Sequence, residues 1–326
     1  MTKSTTIVKK KIALLTGGYG AEYDISIKSA AHVEAHLNSD LYDVYVIHIN
    51  REKWYHRETE RLINRNDFSL QLDDEIISFD LALIIIHGDP AENGRLQGYF
   101  ESIRLPISTC ETLVSALTFN KYMSNYMLTD FGVRSARARL IKQHDAYAID
   151  RISDLGFPMF VKPNRNGSSY GISKVNHLEA LVPAIKKGFE YDTELIIEEF
   201  MPGREFTCGV VCLGGEIITF PVTEIISHNE YFDYAAKYEN ASDEITPADI
   251  SNELSERCQT ITKRIYKGLG CRGMVRVDFI LKDNAFYVIE LNTIPGLTER
   301  SLFPQQVEAH GWTMSEFLDK LIVELL

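Results

Sequence analysis

MVRVDFILKDNAFYVIELN (274–292) decides the fold of the C-terminal half. Two arms rich in β-branched and aromatic residues flank the turn signal Lys282–Asp283–Asn284, so the segment reads as a β-hairpin. Symmetry about Asn284 sets Asp278 opposite Glu290 and Arg276 opposite Asn292. Residues two apart share a face of a strand, so these four polar groups converge on one side. Val275, Val277, Phe279, Ile289 and Leu291 take the other side, a fitting buried surface. One bulge would shift this register by a residue. Two carboxylates opposed across a sheet repel each other. A hard cation such as magnesium resolves that repulsion, with the Asn292 carboxamide as a neutral third ligand. Arg276 beside them is suited to hold an oxygen of a transferring phosphoryl group. The plainer alternative is a solvated sheet face with an Arg276–Asp278 salt bridge. The next segment, TIPGLTERS (293–301), has turn chemistry suited to presenting backbone amides at the hairpin's end, which weakens that alternative.

Upstream, GFPMFVKP (156–163) reads as a strand carrying Lys162, followed by the loop NGSSYG (166–171), a strand at 172–175 and a helix near 178–189. The loop is not a P-loop, because the Gly-Lys-Ser/Thr ending is absent. A glycine loop between strands can still cover a triphosphate with backbone N–H groups, and Lys162 is placed to reach the same phosphates. Taken alone, it is an ordinary polar hairpin loop. ELIIEEF (194–200), REFTCGVVCL (204–213) and EIITFPVTEII (216–226) read as antiparallel strands, and 228–247 as a long polar and aromatic stretch without clear period. Helices are expected at 111–118, 121–131, 251–268 and the C-terminus.

The first third alternates strand and helix signals: KIALLTG (11–17), a helix over 26–37, YDVYVIHI (42–49), LALIIIHG (81–88) and a helix over 96–103. This is a doubly wound, mostly parallel half-domain, whose ligands gather at the carboxyl ends of strands, here Gly17–Glu22 and His87–Gly94. The fold class is therefore α/β, turning to α+β in the C-terminal half, with segments 1–110, 111–197 and 198–326. TGGYGAEYD fits two glycines of a dinucleotide fingerprint at Gly18 and Gly20, but the third position is Tyr23, so an NAD-dependent oxidoreductase has a weak motif.

A net charge of −12 over 326 residues argues against a nucleic-acid partner, which needs a basic face. It leaves room for a small phosphate ligand neutralised locally by metal ions and lysines. Five scattered cysteines read as reduced core thiols, since CGVVC lacks partners for a zinc site. No run approaches the roughly 20 apolar residues of a membrane span, so the expectation is a cytoplasmic protein.

Seven motifs in order carry a resemblance: GGYGAEYDISIKSA (17–30), HGDPAENGRLQGYFE (87–101), LTFNKYMSN (117–125), FVKPNRNGSSYGISKV (160–175), EEFMPGREFT (198–207), FDYAAKY (232–238), and VRVDFI with IELNTIPGLTERSLFP (275–280, 289–304). From about residue 11 to 323 the chain resembles the D-alanine–D-alanine ligases of the ATP-grasp superfamily. By position, the resemblance implies that Lys121 and Lys162 bind ATP phosphates, with the loop of Ser168, Ser169 and Gly171 closing over them. Glu198, Glu199, Phe200 and Met201 line the adenine site, Glu205 holds the ribose, and Lys237 joins the ATP-binding set. Asp278, Glu290 and Asn292 hold two Mg2+, with Mn2+ as a substitute. Arg276 and the Gly296 amide stabilise charge in the transition state. Glu22 binds the ammonium of the first D-alanine with His87 close by, and Ser301 and Leu302 receive the carboxylate of the second. Read without the resemblance, His87 is equally a hydrogen-bonded strand-end histidine.

In the family's scheme the first D-alanine carboxylate attacks the γ-phosphate, and the second D-alanine's amine attacks the resulting acyl phosphate. The resemblance further implies a Glu22–Ser168–Tyr238 trio linking the domains, and a homodimer. The 228–247 stretch is the expected lid. Tyr238 favours D-alanine over D-lactate as second substrate. Two departures stand out: Ala91-Glu92-Asn93-Gly94 where the family has Gly-Glu-Asp-Gly, and Glu199 where many relatives have lysine.

Overall fold

The computed structural model describes residues 8–143, 152–167, 170–227 and 242–326. In chain order the first third holds β1 (Lys10–Gly17), α1 (Tyr23–His36), β2 (Tyr42–Ile49), β3 (Trp54–His56), β4 (Ile63–Asn64), β5 (Ser69–Leu72), β6 (Glu75–Ile77), β7 (Leu81–Ile84) and α2 (Arg95–Ile103). One sheet runs β3-β2-β1-β7, with β2 and β7 parallel to β1 and β3 antiparallel at the edge. Both faces of β1 are apolar and both are covered, as a parallel sheet requires. Ile12 and Leu14 pack with Ala30 and Val33 of α1, and Ala13 and Leu15 with Leu96 and Phe100 of α2. A small antiparallel sheet, β4-β5-β6, adds Ile63, Leu70 and Ile77 to that second layer. The strand expected over 81–88 pairs only to Ile84. Beyond it the chain stays buried, with Ile85 N–H donating to Leu15 O at 2.9 Å.

The middle of the chain holds α3 (Thr112–Phe119), α4 (Lys121–Asp130), β8 (Arg134–Ser135), β9 (Ala138–Lys142), β10 (Met159–Pro163), β11 (Ser173–Val175), α5 (Leu181–Gly188) and β12 (Glu194–Glu199). β11-β10-β12-β9 is an antiparallel sheet backed by Leu181 and Ile185 of α5.

Then follow β13 (Arg204–Leu213), β14 (Glu216–Thr219), β15 (Thr223–Ser227), β16 (Ser242–Ile245), α6 (Asn252–Leu269), β17 (Met274–Lys282), β18 (Ala285–Asn292), α7 (Leu302–Ala309) and α8 (Met314–Leu325). Their sheet runs β16-β15-β13-β17-β18-β8, with β14 also on β13. Two expectations change here. The strand over 216–226 is two strands, because Pro221 has no N–H for a ladder and the pairing with β13 lapses over 220–222. The terminal helix is also two, the second opened by a Thr313–Glu316 capping box. Part of the stretch read as aperiodic, 242–245, is the edge strand β16. Phe303 and Val307 of α7 and Phe317 and Leu321 of α8 join the core under α1 and β1, tying the chain's end to its beginning. All five cysteines are free thiols, four of them buried. Among the described residues no helix is long and apolar enough to cross a membrane.

Candidate active site

The hairpin reaches its expected pairing by an unexpected route. Asp283 (φ 48°) and Asn284 (φ 57°) form a two-residue turn, both left-handed as a type I′ turn requires, and Lys282 pairs with Ala285. From that turn Phe279 faces Val288, one residue off the symmetric register. A bulge beside Asp278 takes up Ile289 and restores Asp278 opposite Glu290 and Arg276 opposite Asn292. Ile289, expected in the buried surface, therefore lines the cavity, and Val288, 1% exposed, takes its place in the core.

Every oxygen of Asp278 is engaged. Oδ1 accepts from Arg276 Nε (2.9 Å) and Thr207 Oγ1 (2.6 Å), and Oδ2 from Arg276 Nη2 (2.8 Å) and Asn292 Nδ2 (3.0 Å). The Arg276–Asp278 salt bridge exists, but it is not solvated: the two side chains are 14% and 8% exposed. Asn292 donates through nitrogen, which leaves its carboxamide oxygen for a cation. Among the described residues no three His, Cys, Asp or Glu side chains cluster as a metal cage. Two opposed carboxylates and an amide oxygen fit magnesium, which is held by one or two carboxylates plus phosphate oxygens.

A cavity of about 400 Å³ lies between this sheet and the β10–β12 sheet. Lys121 starts α4 because Asn120 caps the helix, its Oδ1 accepting from Met123 N–H, while Asn164 takes the N–H groups of Lys121 and Tyr122. Lys121 Nζ donates to Asn166 O (2.9 Å) and lies 3.3 Å from Glu290 Oε2. Across the cavity Lys162 Nζ meets Glu198 Oε2 at 2.6 Å, and Asn125 Nδ2 holds the other oxygen at 3.0 Å. Burial pulls the Lys162 pKa down, but Glu198, Glu290 and Glu205 outweigh it, so the net shift is upward and the ammonium stays charged. Glu205, Phe200 and Met201 line the same cavity. Gly171 (φ +75°) also holds the expected loop's end, where an added Cβ would meet the Tyr191 ring at 2.7 Å.

Beyond the carboxylates, the loop at 294–301 is clamped from α1 and His87. His87 Nδ1 lies 3.1 Å from Ile294 O, and a carbonyl can only accept, so this nitrogen carries the proton. Nε2 then accepts from Ser29 Oγ at 3.2 Å. Burial lowers the His87 pKa, which keeps this neutral form. Ser29 Oγ also receives Leu297 N–H (3.4 Å), and His32 Nδ1 donates to Leu297 O (2.8 Å). Both ring nitrogens of His87 are thus committed to protein, which supports the strand-end reading of this residue. The Glu22 carboxylate lies against two glycines: a Cβ on Gly88 or Gly167 would come within 3.1 or 2.8 Å of its Oε2. Gly296 sits against Ser301, whose Oγ would be 2.9 Å from a Cβ there. Ser301 opens α7 with Leu302 beside it, and its Oγ accepts from Thr298 N–H at 3.0 Å.

Ser168, Ser169, Lys237 and Tyr238 lie outside the described residues, as does most of the expected lid. Both sequence departures have local partners. Asn93 Nδ2 donates to Asp89 Oδ1 (2.7 Å), where an aspartate would repel Asp89, and Ala91 is fully buried. Arg137 takes both oxygens of Glu199, through its N–H (3.0 Å) and Nε (2.8 Å). Sequence reasoning missed Arg137, Thr207, Ser29 and His32 as supports of the site. Only the polar spacing of Ser26, Ser29 and His32 on one side of α1 could have signalled any of them.

A nucleotide-sized cavity between two sheets, with Lys121 beside the paired carboxylates and Lys162 on the facing wall, defines an ATP-grasp enzyme. Two family models match, the D-ala D-ala ligase N-terminus over residues 11–110 and the D-ala D-ala ligase C-terminus over 128–323. The D-alanine--D-alanine ligase of Parabacteroides distasonis is 44% identical over 98% of each chain, and that of Porphyromonas gingivalis 44% over 96% of this chain and 97% of its own. Among solved structures, the VanG D-Ala:D-Ser ligase of Enterococcus faecalis aligns with a TM-score of 0.88 and 34% identity, covering 98% of this chain and 100% of that one. The Bacillus anthracis D-alanine--D-alanine ligase complexed with ATP aligns with a TM-score of 0.78 at 28% identity, over 97% and 96%. The chain belongs to the D-alanine–D-alanine ligase family.

Proposed function

We propose that the chain joins two D-alanines into D-alanyl-D-alanine for peptidoglycan precursor synthesis, converting ATP to ADP and phosphate through a D-alanyl phosphate. The observation that carries this reading is the convergence of Lys121, Arg276, Asp278 and Glu290 on one cavity. A carboxylate is a poor electrophile, and both activating it and aminating it concentrate negative charge. As a member of its family the enzyme uses ATP and a divalent metal; two Mg2+, replaceable by Mn2+, are the finer proposal. The metal supplies charge neutralisation at the transferring phosphate. Asp278, Glu290 and Asn292 would hold it. Lys121, beside Glu290, and Lys162, from the facing wall, draw the phosphates, Glu198 to Met201 border the adenine, and Glu205 holds the ribose. Arg276 and the Gly296 amide meet the developing charge, Glu22 takes the first ammonium, and Ser301 with Leu302 takes the second carboxylate. His87 acts here by fixing the 294–297 backbone. The roles of Ser168, Ser169, Lys237 and Tyr238, the lid at 228–247, the three-segment division, a homodimer and a cytoplasmic location are proposed with it.

Phosphate release with ATP and magnesium, with and without D-alanine, plus the product mass, tests the reading. D-alanine-independent release, or no dipeptide mass, would overturn it. A D-alanine–D-serine product is the second reading, favoured by the fold's likeness to the VanG enzyme. The same mass measurement with D-serine and D-lactate separates these.

A further inference from the structure

β16 is an edge strand of the large sheet, and its Glu244 is a carboxylate that the roles above leave unused. The ladder registers place it. Glu244 pairs with Ile225, Ile225 with Glu205, and Glu205 with Ile280. Directly paired residues share a face, as do residues two apart on a strand. Ile280 is two residues from Asp278 and four from Arg276, on a strand whose pairing with β13 is regular from Met274 to Leu281. Glu244 therefore stands on the same face of the sheet as Arg276 and Asp278, and its neighbour Ile225 lines the cavity.

Its second contact comes from α7. Gln305 Nε2 donates to Glu244 Oε2 at 2.7 Å and to Arg300 O at 3.1 Å. One amide group thus ties Glu244 to the backbone that opens α7, immediately before Ser301. Glu244 Oε1 accepts no hydrogen bond among the described residues. Burial pushes the Glu244 pKa up, against Gln305 and Arg276, which pull it down, so the carboxyl sits where its charge lacks a full set of partners.

An amino acid entering as the second substrate carries two charges. The reading of Ser301 and Leu302 assigns its carboxylate and leaves its ammonium without a partner. Asp278 and Glu290 are given to metal, Glu22 to the first amino acid and Glu205 to the nucleotide. We propose that Glu244 holds the ammonium of the second amino acid, presenting its Oε1 to that group while Gln305 fixes its Oε2. This rests on the reading of Ser301 and Leu302 as the second carboxylate's site.

The test is Glu244→Gln, which keeps an oxygen for Gln305 but removes the charge. Two nucleophiles are compared on the same enzyme with ATP, magnesium and D-alanine as first substrate. One is D-alanine as second substrate. The other is hydroxylamine, which is uncharged near neutral pH and yields D-alanine hydroxamate. The expected result is a KM for the second D-alanine raised about tenfold or more, with the first D-alanine's KM and the hydroxamate rate within about twofold of parent. A hydroxamate rate falling in parallel with dipeptide formation would reduce Glu244 to a pin for α7, and an unchanged second KM would overturn the proposal. Should Glu244→Gln not fold, Glu244→Asp is read by the same pair of rates, with an expected rise of about threefold in the second KM only. Parent enzyme forming neither dipeptide nor hydroxamate would instead sink the reading of the reaction itself.

Discussion

Replacing Arg276 with alanine separates what this side chain does for the fold from what it does for chemistry. The substitution removes two charge-assisted hydrogen bonds to Asp278, at 2.9 and 2.8 Å. Removing one partner of a buried pair typically costs about 3–5 kcal/mol, because a bare charge is left behind. Asp278 is not left bare, since Thr207 and Asn292 still donate to both of its oxygens. The stability cost should therefore fall to about 1–3 kcal/mol, within what a domain of ordinary stability survives. The cost to turnover is separate. A preorganised donor aimed at developing charge is worth about 3–4 kcal/mol, so kcat should drop by roughly two to three decades. Phosphate release at saturating ATP, magnesium and D-alanine measures the rate, and a urea melt measures the stability. Arg276→Lys keeps the charge but not the two-pronged geometry, so it should recover only part of the loss. Turnover within about threefold of parent in a folded Arg276→Ala enzyme would remove the arginine from the mechanism.

Two other predictions concern stability and the glycine loop. Burial, reinforced by the Glu22 charge, raises the Glu92 pKa to about 8. The folded state therefore favours the neutral acid; this stabilises fully below the unfolded pKa near 4.5 and is lost as pH rises through 8. The ceiling is roughly 5 kcal/mol at 1.36 kcal/mol per unit, reduced to about half by solvent at this half-buried side chain. Urea midpoints at pH 5 and 8.5 should show the parent losing stability relative to Glu92→Gln, and parallel midpoints would refute the assignment. Gly171→Ala should cost about 2 kcal/mol or more and raise the KM for ATP, because φ is +75° and the new methyl meets Tyr191 at 2.7 Å and Pro163 at 2.8 Å. A melting temperature unchanged by that substitution would count against a tightly packed loop end.

The parts of the fold legible in the sequence were those with a strong period. β1, β2, α1 and the C-terminal hairpin all declare a buried face by apolar spacing alone. β3 to β6 do not, since strands of two to four residues give too few alternations to register, and their buried side chains, Trp54, Ile63, Leu70 and Ile77, meet only in the folded chain. The supports of the site hide for the same reason: Thr207 reaches Asp278 across 71 residues and Asn125 reaches Glu198 across 73. Asp278 and Glu290 are legible as a pair, although the chain brings them together through a two-residue turn and a bulge rather than by symmetry about Asn284. The two-residue turn alone would set Asp278 opposite Ile289 and send Glu290 and Asn292 to the core face. Ile289 is the inserted residue that corrects this. Deleting it takes out only the extra residue, so Asp278 should stay opposite Glu290 in an unbulged ladder and magnesium-dependent turnover should stay within about tenfold of parent, as it should in Ile289→Ala, which keeps the bulge. A folded deletion variant that loses magnesium- and D-alanine-dependent phosphate release would show that the opposition of Asp278 and Glu290 is not by itself what the reaction requires.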